Sequence, residues 1–149
     1  DYPKFYKMDG LSRLAFAVGE LMVKGTDSLP TLALEDNTAI VFVGKSGSLA
    51  SDVKYQDTIS NPDNFFPSPA HFVYTLPNIA TGELAIRHEV HGETAFFIAS
   101  QQDEAQISTL LHTAAMDKEA THVLGGWLEY EDDNHFAAHA QLYKVVRDL

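Results

Sequence analysis

The stretch "HGETAFFIASQQDEA", from His91 to Ala105, decides the fold of this chain. Its apolar, aromatic-rich run Glu93–Ser100 predicts a buried strand. The following segment, Asp103–Lys118, has apolar residues at helical spacing and predicts a helix. We expect its inward side to carry Ala105, Ile107, Leu110, Leu111, Ala114 and Ala115. The strand-to-helix junction then falls at Ser100–Asp103, where the chain offers a serine and two glutamines.

The residues before this stretch continue the alternation of helices and strands. A first helix is predicted from Asp9, its N-cap, to a stop at Gly25. We expect its inward face to carry Leu11, Leu14, Ala15, Val18, Leu21 and Met22. The β-branched run Thr38–Gly44 predicts a buried strand, and the turn after it leads into a helix over Leu49–Ile59.

A second pair of helical segments precedes the central stretch. Ser68 and Pro69 open a helix as N-cap and first residue. Pro77 interrupts the pattern, so we expect a break near Leu76 and a new helix after it.

The C-terminal part predicts a β-hairpin. Two extended runs, Thr121–Glu131 and Phe136–Val146, are joined by the turn-forming sequence "DDNH". Alternation of strands and helices that closes on a hairpin predicts an α/β fold with a mixed sheet of four to five strands flanked by helices. We expect one domain over residues 1–149.

Composition narrows the classes of function. The net charge of −11 and only ten Lys and Arg residues argue against binding to nucleic acid or to an anionic membrane surface. The chain has no cysteine, which excludes disulfides, thiolate nucleophiles and sulfur-ligated zinc within it. No apolar run approaches the roughly 20 residues of a membrane span, and the N-terminus lacks a signal-peptide pattern. We expect a cytoplasmic protein. Because the sequence lacks an initiator methionine, we also expect it to be a trimmed chain or a fragment.

Four segments in order resemble the N-terminal half of the β-ketoacyl synthases, the thiolase-fold condensing enzymes of fatty-acid and polyketide synthesis. They are "KMDGLSRLAFAVGELMV" (7–23), "TAIVFVGKSGSLASDVKYQDTI" (38–59), "PNIATGELAIRHEVHGETAFFIAS" (77–100) and "ATHVLGGWLE" (120–129). The third is similar to the family's Pro-Asn pair, spaced glycine, isoleucine and second glycine, which lead into the strand before the nucleophile. The fourth is similar to the family's segment with a Gly-Gly pair followed by glutamate. The resemblance implies half of a thiolase-like fold.

The resemblance also implies that this chain lacks the family's nucleophilic cysteine and its two catalytic histidines. Counting back from Gly125-Gly126 places Ser100 at the position of the family's nucleophilic cysteine, whereas counting forward from Gly92 places Gln101 there. Chain-length factors, which are non-condensing partners of some polyketide synthases, have glutamine at that position. A serine hydroxyl needs an adjacent base to act as a nucleophile, and the family's two catalytic histidines belong to its C-terminal half. We therefore expect no catalytic residue, with Ser100 or Gln101 as the nucleophile-equivalent position, and no cofactor or metal.

Three hypotheses about function follow. The leading one is a catalytically silent ketosynthase-like subunit in fatty-acid or polyketide-type biosynthesis. It would form a homodimer, or a heterodimer with a complete ketosynthase, through strand Glu93–Ser100, with acyl carrier protein as a further candidate partner. The second is an acyltransferase or thioesterase that uses Ser100 with His71 or His91 as its base. The third is a module that binds an acyl chain or an acyl carrier.

Several side chains at the predicted junction also have structural interpretations, which we favour. Ser100 fits a helix N-cap better than a nucleophile. Gln101 and Gln102 suit the first helical turn.

The histidines and glycines have similar structural alternatives. His88 and His91 could share a metal with Glu89 or Glu93, but histidine near a helix C-terminus interacts favourably with the helix dipole. His135 and His139 form a weaker pair of the same kind. The "GKSGS" sequence (44–48) is better interpreted as a tight turn than as a phosphate site. Gly125 and Gly126 would permit close backbone packing.

Four aromatic residues have two possible roles. They could line an acyl channel, or they could belong to the core or to an interface. The residues are Phe65, Phe66, Phe72 and Tyr74.

Overall fold

A computed structural model describes residues 1–24 and 32–148 of the chain. Its centre is one four-stranded sheet with the strand order β2-β1-β3-β4. Strand β1 (Thr38–Gly44) runs parallel to β2 (Thr94–Ile98) on one side and to β3 (His122–Asp132) on the other. Strand β4 (His135–Lys144) pairs with β3 as an antiparallel hairpin. The predicted mixed α/β sheet that ends in a hairpin is confirmed.

The described residues also form five α-helices. They are α1 (Gly10–Val23), α2 (Leu49–Ile59), α3 (Pro69–Phe72), α4 (Asn78–His88) and α5 (Glu104–Ala115). Within the ranges that the structure describes, none of these helices is long and apolar enough to cross a membrane.

Two separate cores lie on the two faces of the sheet, because side chains alternate along each strand. Every residue of β1 is buried. Ile40 and Phe42 face α1 and α4, whereas Val41 and Val43 face α5. A strand that is buried on both faces reads as a continuous apolar run, which is why the sequence located β1 well.

The predicted helix boundaries hold where local capping residues set them. Asp9 accepts a hydrogen bond from the Ser12 N–H at 2.9 Å and caps α1. Ser68 accepts from the His71 N–H and caps α3. The chain is extended at Leu76, which confirms the break predicted there. Gly25, the predicted stop of the first helix, lies outside the described residues.

The inward face of α1 differs from its prediction. Leu21 was expected to be buried, but it is 77% exposed. Gly19 is buried instead, because α4 packs directly on it: a Cβ at this position would lie 2.4 Å from the Leu84 Cδ2 atom. The absence of a side chain thus turns the contact face of the helix away from Leu21. Ala105, expected on the inward side of α5, is also exposed.

His88 makes stability sensitive to pH at the α1–α4 contact. Its side chain is only 10% exposed, and its Nε2 atom lies 4.0 Å from the Glu20 Oε1 atom. Burial lowers the pKa of His88 below its usual 6.5, although Glu20 opposes that shift. As the pH falls below 6.5, His88 is therefore protonated more readily in the unfolded chain than in the folded chain. We expect this contribution to lower the free energy of unfolding with a slope of at most about 1.4 kcal/mol per pH unit.

Urea unfolding from about pH 8 down to about pH 5 tests this expectation. His88→Gln should flatten the curve below pH 6.5, whereas His112→Gln, at an exposed position of α5, should leave it unchanged. Identical slopes for wild type and His88→Gln would contradict the assignment.

Candidate functional site

The carboxyl ends of the three parallel strands meet at one edge of the sheet. Strand β1 ends at Gly44 and β2 at Ile98, and the Ala99 N–H donates to the Gly44 carbonyl at 3.0 Å. Helices α2 and α5 both begin beyond this edge. Ligand sites of open α/β sheets form at such edges, so this is the candidate functional site.

The glycine turn after β1 is held by an acidic side chain. The backbone N–H groups of Lys45 and Ser46 donate to the Glu129 carboxylate of β3 at 3.0 and 3.1 Å. Gly47 has a φ of +54°, and a Cβ there would lie 2.7 Å from the Ile98 Cδ1 atom. Since Glu129 already accepts these N–H groups, the segment is a tight turn rather than a phosphate site, as the sequence favoured.

The strand-to-helix junction differs from its prediction. Helix α5 begins at Glu104, and its N-cap is Asp103, whose Oδ1 atom accepts from the N–H groups of residues 105 and 106 at 3.0 and 3.2 Å. The assignment of Ser100 as N-cap was therefore wrong. A carboxylate satisfies two free N–H groups and also suits the positive end of the helix dipole, so it displaces the hydroxyl three residues earlier.

The two glutamines lie outside the helix as well. Gln101 and Gln102 are exposed in the connection before α5, so their placement in the first helical turn was also wrong. The Gln102 Nε2 atom donates to the Glu104 Oε1 atom at 2.8 Å. Ser100 and Gln101, the two nucleophile-equivalent candidates, are therefore neighbours on an exposed connection.

Among the described residues, no hydrogen bond joins a histidine to Ser100. His91 lies before β2, where it contacts Asp36, whereas Ser100 lies after β2. An extended stretch of nine residues is about 30 Å long, so the two side chains lie at opposite ends of the strand. Among residues 1–24 and 32–148, His71 on α3 makes no hydrogen bond with Ser100 either.

The histidine pairs also stay apart from each other. Helix α4 ends at His88, and Glu89 takes a left-handed conformation with φ 54°, which directs the chain away before His91. His88 turns toward Glu20 and His91 toward Asp36. In the described part of the chain, no three histidine, aspartate or glutamate side chains are grouped so as to hold a metal ion.

The two histidines of β4, His135 and His139, also have different partners. His135 contacts Asp132, and the His139 Nδ1 atom lies 3.9 Å from the Glu104 Oε1 atom.

The edge of the sheet at β2 is apolar and open. Of the described strands, only β1 pairs with β2. Phe97 is 40% exposed and Ile98 is 59% exposed. Charged residues and proline usually protect an edge strand from further pairing. The sequence of this strand, "TAFFI", contains neither.

A second exposed surface is aromatic and lies beside helix α2. Phe65, Phe66 and Phe72 are each more than half exposed, so they are not part of the core. Phe72 packs on Tyr55 with ring centroids 5.3 Å apart. Tyr74 is half-buried, and burial raises its pKa.

Comparison with known proteins places the fold. No protein-family model and no curated protein matches the sequence. The ishigamide ketosynthase/chain length factor is similar in structure, with a TM-score of 0.67 and 23% identity over 83% of this chain. The chain has the fold of one part of this ketosynthase/chain length factor structure. The implied half of a thiolase-like fold is thereby confirmed.

A second structure of a ketosynthase with its chain length factor has a similar fold. It is the ketosynthase ApeO in complex with its chain length factor ApeC from Xenorhabdus doucetiae, with a TM-score of 0.59 and 20% identity over 87% of this chain. The chain covers 35% of the matched chain in the first structure and 48% of the matched chain in the second, and so spans less than half of each.

Proposed function

We propose that this chain is a ketosynthase-like partner subunit. It acts in the cytoplasm and assembles with a complete ketosynthase, through the free edge of β2, in polyketide- or fatty-acid-type biosynthesis. The observation that carries the proposal is an uncharged, apolar edge strand whose outer side pairs with no other described strand, in a chain with a ketosynthase-like fold. Both similar structures are described as a ketosynthase with a chain length factor.

The chemistry of β2 favours pairing with another strand. The outer side of an edge strand has free backbone N–H and C=O groups, and a second strand satisfies them. Burial of Phe97 and Ile98 in the same contact adds a hydrophobic contribution. Pairing therefore satisfies the free backbone groups of β2 and buries its exposed apolar side chains in one contact.

Three features support a role in assembly rather than in condensation. The chain has no cysteine to act as a thiolate, and in the described part of the chain no histidine is hydrogen-bonded to Ser100. The net charge of −11 also repels an acidic carrier protein. In this proposal the partner supplies both the nucleophile and the surface that binds the carrier.

Ile98→Asp tests the proposed interface. A carboxylate at a buried, apolar strand contact would lose its hydration without gaining a partner, so we expect the complex to dissociate about 100-fold more readily. The chain would be co-expressed with each full-length ketosynthase of its own organism, and 1:1 complexes would be measured by native mass spectrometry and titration.

Leu21→Asp is the matched control, since Leu21 is an apolar residue of α1 with 77% exposure. It adds the same charge on a different element and should leave the affinity unchanged. A chain that stays monomeric with every ketosynthase, or an Ile98→Asp variant that binds like wild type, would refute the proposal.

A further inference from the structure

One face of α4 is apolar and at least partly exposed along its length. Ile79, Gly82 and Ile86 share this face, because residues three and four positions apart are neighbours on a helix. Ile86 is 62% exposed. Leu84 and His88 lie on a different face, where they contact α1 at Gly19.

Gly82 differs from the other glycines that the structure describes. At each of the other seven, an added Cβ would lie within 3.0 Å of a neighbouring atom. At Gly82, it would meet nothing within 4 Å. Glycine in a helix interior is unfavourable relative to alanine, and the packing of the folded chain gives no reason for it here. A close approach from outside the chain would give that reason.

The size of β2 leads to the same face. A specific interface uses roughly 20–30 residues on each side, whereas β2 has 5 residues. Pairing along the strand is therefore too small for a stable complex. Helix α4 packs directly against β2, so its exposed face continues the surface that a partner at this edge would cover.

We infer that the partner subunit places a helix against Ile79, Gly82 and Ile86 while its edge strand pairs with β2. The inference rests on the proposed function, because it assigns a second contact to the same partner. At Gly82 the backbone of α4 is open to close approach, and the two isoleucines provide apolar contacts on either side. The partner that fits this surface has an unpaired strand with an apolar helix beside it.

Gly82→Leu tests the helix contact. Since an added Cβ at this position meets nothing within 4 Å, the variant should unfold at a temperature no lower than wild type. Its affinity for the full-length ketosynthase should fall about tenfold or more, because the added side chain separates the two helices. Ala17→Leu, at an exposed position of α1, adds similar bulk and should bind like wild type.

A thiol at the same position gives a second measurement. The chain has no native cysteine, so Gly82→Cys carries one reactive thiol, and its alkylation by iodoacetamide should slow in the complex. Ala17→Cys should be alkylated at the same rate in the free and bound states. If the complex forms but Gly82→Cys is not protected and Gly82→Leu binds normally, the helix contact is refuted and the proposed function stands. If no ketosynthase binds at all, the proposed function itself is refuted.

Discussion

Gly125→Val is expected to leave the chain unfolded at room temperature. Gly125 lies opposite Val41 in the β1–β3 pair. A Cβ at this position would lie 1.8 Å from the Val41 carbonyl oxygen and 2.5 Å from the Leu111 Cδ2 atom. Strand β1 is buried on both faces and paired on both sides, so the backbone cannot move aside. The loss should exceed about 4 kcal/mol, which approaches the whole stability of a typical domain.

Circular dichroism and proton NMR would measure the loss of the fold. Gly82→Ala is the matched control, because the space around Gly82 is open. It should raise the free energy of unfolding by about 0.5–1 kcal/mol. A Gly125→Val variant that unfolds cooperatively within about 1 kcal/mol of wild type would show that the β1–β3 pairing is wrong.

The elements that the sequence predicts well are those with complete local signals. Strand β1 is a short run of apolar and β-branched residues, and the hairpin has its turn residues between two extended runs. Gly125 and Gly126 were expected to allow close backbone packing, and both lie against neighbouring backbone oxygens. In each case the residues that determine the structure are adjacent in the sequence.

The errors occur where two residues could each cap the same helix, or where a distant element determines which face of a helix is buried. Ser100 and Asp103 are both good helix caps, and only the path of the chain after β2 selects Asp103. Leu21 fits the apolar spacing of α1, but the contact of α4 with Gly19 determines which face is buried. Helical periodicity alone contains neither piece of information.

The contacts that shape the candidate site are long-range. Glu129 binds the backbone of Lys45 and Ser46 across more than 80 positions of sequence. A glutamate after a pair of glycines gives no local sign of that role. The histidines show the same limit: His88 and His91 are close in sequence, yet the left-handed turn at Glu89 sends them to different partners.

The nine phenylalanines divide into core and surface residues that sequence alone does not separate, and two of them give the second large prediction. Phe42 on β1 is fully buried beneath α1 and α4, whereas Phe66 is 76% exposed. Phe42→Ala should lower the free energy of unfolding by about 3–5 kcal/mol, because it removes buried apolar surface and leaves a cavity. Phe66→Ala should change it by less than about 0.5 kcal/mol.

Urea unfolding of both variants, under the same conditions as wild type, measures this difference. An equal loss for the two would mean that Phe66 packs into the fold, and the exposed aromatic surface would then be part of the core. A stable Phe66→Ala variant with weaker binding to a ketosynthase would instead place that surface, together with β2, in the interface. The pair of substitutions therefore separates the residues that hold this half-ketosynthase fold together from those available to a partner.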